Sequence, residues 1–482
     1  MGNFKNKKNL IRSLKQSVCR FLYLLPVIAL FGLVRLSVWQ SPAHVQDAGA
    51  EQTSRSLSID NPKVTAAVQP AILAASGASR GAVTFLDPET SPASQVLVSG
   101  LPPNANPQGV AYYGSDNGLL ADAGNFRILV IQASTGAVLS TIDTTAVGFN
   151  GSGTIAVSPD QTIALAMGSV LTTPSTSLYV VHAPFTSSSA ITPVTLPGAL
   201  GSFQTEAIVF NSAGRAFVYN TAGISVLDAP YTSVAFTIPF SNGSGAIAIS
   251  PNGNTLLITN LTLAVGVIQG PFSAASIVTS LQIFAANALD GIAIAPDGAS
   301  AIVVDNGGHA AFGIASPFSS NSTVSNIPLP AGVEQFEDVG ISADSQLAIL
   351  AGGSINEPAV FVRAPFNTSA VTTNVPLVGV ANTSRGRGSV RFRPSAAAPM
   401  VSVGGRVFTS DGRGLRNATV TITDANGVAT PTTTSSFGFY SFTGVTAGQT
   451  YTIRVFSRFF RFQPRTLMVT VDVSNVDFNG LE

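Results

Sequence analysis

Charged side chains are scarce, with Asp, Glu, Lys and Arg making up 10% of 482 residues, against roughly 25% in an ordinary soluble domain. What charge there is sits unevenly. Residues 1–50 hold seven basic side chains and one acid, so residues 51–482 carry 17 basic and 23 acidic groups, a net of −6. Lys63 is the one lysine of that body. Without a basic stripe to neutralise phosphates, nucleic acid is not an expected partner. Cysteine is almost absent. Cys19 lies in the basic N-terminal run and has no second cysteine to pair with, which excludes an intrachain disulfide and leaves stability to sheet packing. A large core does without such bridges even in exported proteins. Histidine is scarce too: His44, His182 and His309 are the whole set. A zinc site needs several converging N, S or O donors, and no serine–histidine–acid triad can be argued from two body histidines without neighbours to orient them.

Turn chemistry and apolar residues, by contrast, are plentiful. Gly (45) and Pro (29) accompany a hydrophobic fraction of 45%, which favours many short strands and excludes disorder through lack of core material. The N-terminus reads as an address. Basic residues run from Lys5 to Arg20, and residues 21–34 (FLYLLPVIALFGLV) are free of charge. That is the pattern of a signal peptide or, if uncleaved, of a membrane anchor, with everything downstream translocated. Residues 1–50 are therefore assigned to export. The body is expected outside the cytoplasm, in an extracellular, periplasmic or cell-surface setting, tied to a membrane through residues 21–34 if the segment is retained.

A repeat fills the middle of the chain. Ile155-Ala-Val-Ser-Pro-Asp160, Ile247-Ala-Ile-Ser-Pro-Asn252 and Ile292-Ala-Ile-Ala-Pro-Asp297 recur, with weaker copies at Val110–Ser115, Ala207–Ser212 and Val339–Asp344. Equivalent positions are spaced 45, 53, 39, 45 and 47 residues apart. A second mark, Pro followed by an aromatic, ends a later strand at Pro184-Phe185, Pro230-Tyr231, Pro271-Phe272, Pro317-Phe318 and Pro365-Phe366. Each period has room for four short strands, the content of one propeller blade. The ends supply the count. Ser389–Pro394 reads as an innermost strand with nothing after it, and 71–74, 82–87 and 95–98 read as three strands lacking a first one. Together they make a seventh, split blade, which removes the free edges that invite aggregation. Ile292-Ala-Ile-Ala-Pro-Asp-Gly298 with Ile302-Val-Val-Asp-Asn306, and Leu129–Gly136, resemble the YVTN-type propeller family over residues 64–394. The resemblance implies a seven-bladed fold that hosts hydrolases, lactonases and binding modules alike.

After a short linker, residues 400–482 are again β. Apolar and polar residues alternate within 405–408, 418–424, 437–442, 450–456 and 467–471, separated by Asp411-Gly412, Asn426-Gly427 and Ala447-Gly448 turns. Gly405-Arg-Val, Asp411-Gly-Arg-Gly414, Asn417–Val420 and Gly438–Phe442 resemble the carboxypeptidase regulatory-like module. That resemblance implies a transthyretin-like sandwich with accessory, adhesive or glycan-facing roles. The peptidase itself is missing, since no His-x-x-Glu occurs. Arg454, Arg458, Arg461 and Arg465 alternate with Phe456, Phe459, Phe460 and Phe462. Core phenylalanines with arginines reaching to the surface are expected, and sugar stacking by an exposed ring is the sharper alternative.

The expected fold is thus all-β, a split-blade propeller followed by a small sandwich. Candidate site residues come from position. Side chains just before each innermost strand face the mouth of the central channel, and there the blades carry Gln108, Gly153, Glu206, Gly245, Asp290, Glu337 and Gly388, with Asp338 and Arg387 adjacent. Carboxylates on one rim suit Ca²⁺, which takes hard oxygen ligands, or a polar ligand around Arg387. Ordinary loop solvation is the competing use. No catalytic residue is assigned. The leading reading is a non-catalytic binding protein with a protein or polysaccharide ligand. The alternatives are a hydrolase or lactonase with a rim-bound divalent cation, and a structural envelope component.

Overall fold

A computed structural model describes residues 69–75, 81–88, 92–151, 153–169, 174–199, 207–240, 245–331, 333, 335–352, 358–379, 388–394, 400–424, 429–446 and 449–481. The export segment assigned to residues 1–50 lies outside them. Among the described residues no helix is long and apolar enough to cross a membrane, and a single 3-10 turn at Thr145–Val147 interrupts an otherwise all-β chain.

The described residues form nine sheets, eight of them four-stranded, and seven of these follow one another along residues 71–392. Six are simple meanders: blade 1 spans 107–143, blade 2 154–195, blade 3 208–239, blade 4 247–282, blade 5 289–326 and blade 6 336–375. Blade 7 is split. Its inner strand Gly388–Phe392 pairs antiparallel with Ala71–Ala75, in register from Ala71 opposite Phe392 to Ala75 opposite Gly388. Gly81–Asp87 and Ser94–Leu97 complete it. The inner strand Gly388–Phe392 lies beside those of both blade 6 and blade 1, so the ring closes as a seven-bladed β-propeller.

Blade strands do not show the polar–apolar alternation of a half-exposed sheet, because each blade is covered on both faces by its neighbours. Ala216–Asn220 and Gly223–Leu227 are buried throughout, and exposure is greatest at outer strands such as Val371–Val375. What alternates is the destination of the side chain. Leu73 packs toward blade 6 with Phe361, whereas Ile72 and Ala74 pack toward blade 1 with Leu120 and Leu129. Every interface between neighbouring blades has an apolar cluster of this kind.

The Pro-aromatic mark follows the third strand of blades 2 to 6, and all five X–Pro bonds are cis. It is an inter-blade contact. Phe185 of blade 2 meets Tyr113 of blade 1 edge-on at 4.9 Å, and Phe272 of blade 4 meets Phe217 of blade 3 at 5.1 Å. The Phe318 carbonyl of blade 5 accepts from Gln269 Nε2 of blade 4 at 2.7 Å. The Phe366 carbonyl of blade 6 stands 1.8 Å from where a Cβ on Gly313 of blade 5 would lie, so that place requires glycine.

The remaining two sheets form the sandwich. One contains Phe439–Thr446, Met400–Phe408 and Phe478–Asn479; the other orders Ala429–Thr433, Thr419–Thr423, Gln449–Phe456 and Arg465–Val469. Here alternation is clear: along Gln449–Phe456 the side chains of Tyr451, Ile453 and Val455 are buried and those between are not. They meet Val403, Val407, Tyr440, Phe442 and Phe478 of the facing sheet.

Candidate functional site

The inner strands begin at one mouth of the channel, and the expected rim residues fall there on four described positions. Glu206 and Arg387 lie outside the described residues. Gln108 of blade 1 reaches across to blade 2, where its Oε1 accepts from Gly153 N at 3.3 Å. Asp290 of blade 5 is fully buried; its Oδ2 accepts from Asn306 Nδ2 at 3.5 Å and its carbonyl from the Thr259 hydroxyl of blade 4. Glu337 and Asp338 are adjacent on blade 6 and both buried. Gly291 lets the two strands touch there, since a Cβ on it would lie 2.7 Å from both Asp338 Cα and the Glu337 carbonyl oxygen. Asp290 and Glu337 are thereby brought onto neighbouring strands, while Gln108 sits beyond the intervening blade 7.

Asp338 is engaged elsewhere. Its carboxylate accepts from Val339 N at 2.7 Å, from Val390 N at 2.9 Å and from the Arg391 guanidinium at 2.9 Å. The arginine beside this acid is therefore Arg391, on the closing strand. The pair ties blade 6 to blade 7 across the seam.

Three further polar residues do comparable work at the ends of second strands. Asp122 accepts from Asn106 N and Arg127 Nε, both at 2.5 Å. Asp305 accepts from Asn287 N, Ala288 N and Gly307 N at 2.7, 2.8 and 2.9 Å. Thr259 Oγ1 accepts from Ala246 N at 2.8 Å. Each fixes the loop that leads into its own blade's inner strand. The sequence signal is a short polar residue closing an apolar run at a fixed place in the repeat, as in Leu119-Leu-Ala-Asp122 and Ile302-Val-Val-Asp305.

Nucleophilic chemistry finds little to build on. His182 and His309 belong to blades 2 and 5, which are not neighbours, and among the described residues neither side chain hydrogen-bonds a hydroxyl or a carboxylate. Gly77-Ala-Ser-Arg-Gly81 has the spacing of a nucleophile elbow. Residues 76–80 lie outside the described residues; the strands on either side, Ala71–Ala75 and Gly81–Asp87, pair antiparallel, whereas an elbow has a helix on its second side. Among the described residues no three His, Cys, Asp or Glu side chains gather as a metal site. Two cavities lie away from the rim. One of about 340 Å³ sits at the far end of the inner strands, between Ile294, Ile341, Arg391 and Arg393. A larger one of about 790 Å³ separates the outer parts of blades 6 and 7, lined by Gln95, Phe361, Arg363, Asn374 and Pro376.

In the sandwich, the expectation of core phenylalanines is corrected. Phe462 packs against the core and Phe460 lies on Gly480, but Phe456 and Phe459 are 59% and 82% exposed. Phe456 points away because it occupies the outward phase of a strand whose inward residues are Tyr451, Ile453 and Val455.

These sheets and turns have recognisable counterparts. Residues 402–479 match the carboxypeptidase regulatory-like domain. The regulatory-like domain is thus the C-terminal sandwich, and residues before it resemble solved β-propellers. A Lactobacillus plantarum protein aligns over 68% of this chain and 100% of its own, at 13% identity and a TM-score of 0.50. A Bacteroides fragilis protein described as a candidate 6-phosphogluconolactonase covers 68% and 99%, at 9% identity and a TM-score of 0.50. A virginiamycin B lyase from Staphylococcus aureus covers 60% and 94%, at 12% identity and a TM-score of 0.45. Such identities speak for the fold alone. No curated protein matches the sequence.

Proposed function

We propose that this is an exported, surface-associated, non-catalytic binding protein whose recognition face is the mouth of the propeller, with the regulatory-like domain as an accessory module. The construction of the mouth carries the reading. Loops of six (283–288) to twelve (376–387) residues enter the inner strands there, and Asp122, Thr259 and Asp305 pin three of them from below. A rigid ring that holds differing loops by their roots suits recognition. Acids whose oxygens accept backbone N–H groups hold structure, and proton transfer would break those bonds. The N-terminal address supports export, with the membrane reached through residues 21–34 where that segment is retained.

One observation favours a second reading. Asp290 and Glu337 stand on touching strands, so a Ca²⁺ ion would find hard ligands from two blades, and a lactonase or related hydrolase becomes the alternative. Thermal melts with millimolar Ca²⁺, Mg²⁺ or chelator, run beside a lactone-hydrolysis assay, separate the two. The binding reading expects melts indifferent to all three additions and no turnover. A Ca²⁺-dependent rise would replace it with the metal reading, provided Asp290→Asn with Glu337→Gln abolishes that rise. At a hundredfold excess over Kd the gain would be about 2.7 kcal/mol.

A further inference from the structure

The regulatory-like domain is polarised. Residues 400–482 hold seven arginines, no lysine and five acids, a net of +2, whereas residues 64–394 hold eight arginines and 16 acids. Within the domain the arginines crowd toward one end. The loops 409–418, 434–438 and 457–464 meet there with residues 480–481. Phe408 bridges to Gly414, Arg461 bridges to Leu481, Gly480 N donates to the Phe408 carbonyl, and Asn417 N donates to the Thr434 carbonyl. Arg413, Arg416, Arg458 and Arg461 lie in these loops, and Arg406, Arg454 and Arg465 stand on the strand ends that feed them. Asp411, paired with Arg413 at 3.3 Å, and Asp477, which accepts from Arg406 N at 2.7 Å, share that end without balancing its seven arginines; Asp424 and Asp472 mark the opposite end, where Asp472 accepts from Ser402 N at 2.6 Å.

The same end carries apolar side chains facing water. Phe459 and Phe437 are 82% and 69% exposed, and Phe439, Phe456 and Leu481 are exposed as well. Phe439 precedes the buried Tyr440 on one sheet, and Phe456 follows the buried Val455 on the other. The two rings therefore lie on opposite outer faces, and the apolar belt runs around the end of the sandwich instead of lining one side. One arginine is held ready inside that belt. The Arg406 guanidinium carbon lies 4.8 and 4.9 Å from the ring centres of Phe408 and Phe439, and its Nε donates to the Phe437 carbonyl at 2.8 Å. Its terminal nitrogens have no acceptor among the described residues. Two ring contacts and that hydrogen bond hold a planar fork suited to phosphate oxygens.

We propose that this end of the regulatory-like domain docks on an anionic phospholipid surface. Arginines at the headgroup level and phenylalanines at the acyl boundary are the combination that holds a domain in a bilayer interface. A polysaccharide would lie along one face or in a groove. The cavity of the domain, about 400 Å³ and lined by Asp424, Thr430 and Gly444, is at the acidic end.

The test places a fluorophore at the tip of the full chain. Trp39 is the sole tryptophan, so Trp39→Phe with Phe459→Trp leaves one indole on an exposed loop where the change does not disturb packing. With vesicles containing phosphatidylglycerol and brominated acyl chains, the emission shifts blue and is quenched; with pure phosphatidylcholine it is not. Adding Arg458→Gln and Arg461→Gln raises the lipid concentration at the midpoint roughly thirtyfold, taking about 1 kcal/mol per arginine. Three results would overturn the proposal. The first is an indole that stays unquenched while the chain co-sediments with vesicles, which means attachment through residues 21–34 alone. The second is quenching indifferent to the two arginines. The third is emission that responds to soluble alginate and not to vesicles, which makes the end a glycan site.

Discussion

Tyr112 shows what a buried polar atom does without a partner. The ring is buried on the inner strand of blade 1, and its hydroxyl has no hydrogen-bond partner among the described residues. Burial pushes the phenol pKa well up, Arg393 opposes the rise and Asp116 adds to it, so the group stays neutral. A buried hydroxyl without a partner forfeits its water bonds for nothing in return. Tyr112→Phe is therefore expected to stabilise the protein by up to about 1 kcal/mol in urea denaturation; a clear loss of stability would mean that the hydroxyl does find an acceptor. The rim at this scale was only partly legible in the sequence. Gln108, Asp290, Glu337 and Asp338 could be located because the length of an inner strand fixes their distance from the Ser-Pro-Asp turn. Their partners could not. Asp338 and Arg391 are 53 residues apart, and only ring closure brings them together. Asp122 and Asp305 escaped notice because an aspartate ending an apolar run also reads as an ordinary turn residue.

At the scale of the element, the inter-blade mark explains why the repeat tolerates such variety. A blade packs by shape against its neighbours, and the aromatic after the third strand seats on the preceding blade in blades 2 and 4, as Phe185 does on Tyr113 and Phe272 on Phe217. Gly313 is where that contact is tightest. Gly313→Ala forces the backbone of blade 5 away from the Phe366 carbonyl, and overpacking of this kind costs about 1–3 kcal/mol or more. Urea denaturation should report that loss, and Phe366→Ala in the same background should recover none of it, because the clash is with the main chain. An alanine variant as stable as wild type would show that blades 5 and 6 slide freely. Strands with continuous apolar runs, such as Leu129–Ile131 or Ile302–Val304, were legible from composition because both faces are covered. Ala429–Thr433 was not. Its sequence ATPTT is polar, mostly exposed and contains Pro431, which an edge strand accommodates where a central one cannot. Phe478–Asn479, two residues long, carries no periodicity to read.

For the whole molecule, stability depends on a joint between the two ends of the propeller sequence. Gly388–Phe392 supplies the inner strand of the blade begun at Ala71–Ala75. Val390 and Phe392 enter the cluster containing Leu73, Phe85 and Phe361, and Asp338 holds Val390 N and Arg391 from blade 6. Ending the chain at residue 385 removes all of this at once. Ala71–Ala75 would present an unpaired edge to solvent, the situation that invites edge-to-edge association, and blade 6 would lose the strand packed beside its own inner strand. Asp338 would lose both the Arg391 guanidinium and the Val390 N–H, and together with the lost apolar packing this is expected to take a large part of a typical folding free energy. The truncated chain is therefore expected to elute as aggregate in size-exclusion chromatography and to lose its cooperative melt. Ending the chain at residue 399 leaves the joint intact and removes only a sandwich that has its own core, so that protein should stay monomeric with the melting transition of the propeller. If the 385 truncation were instead soluble, monomeric and unchanged in Tm, the ring would not depend on its split blade, and Asp338 and Arg391 would not be the clasp that holds it shut.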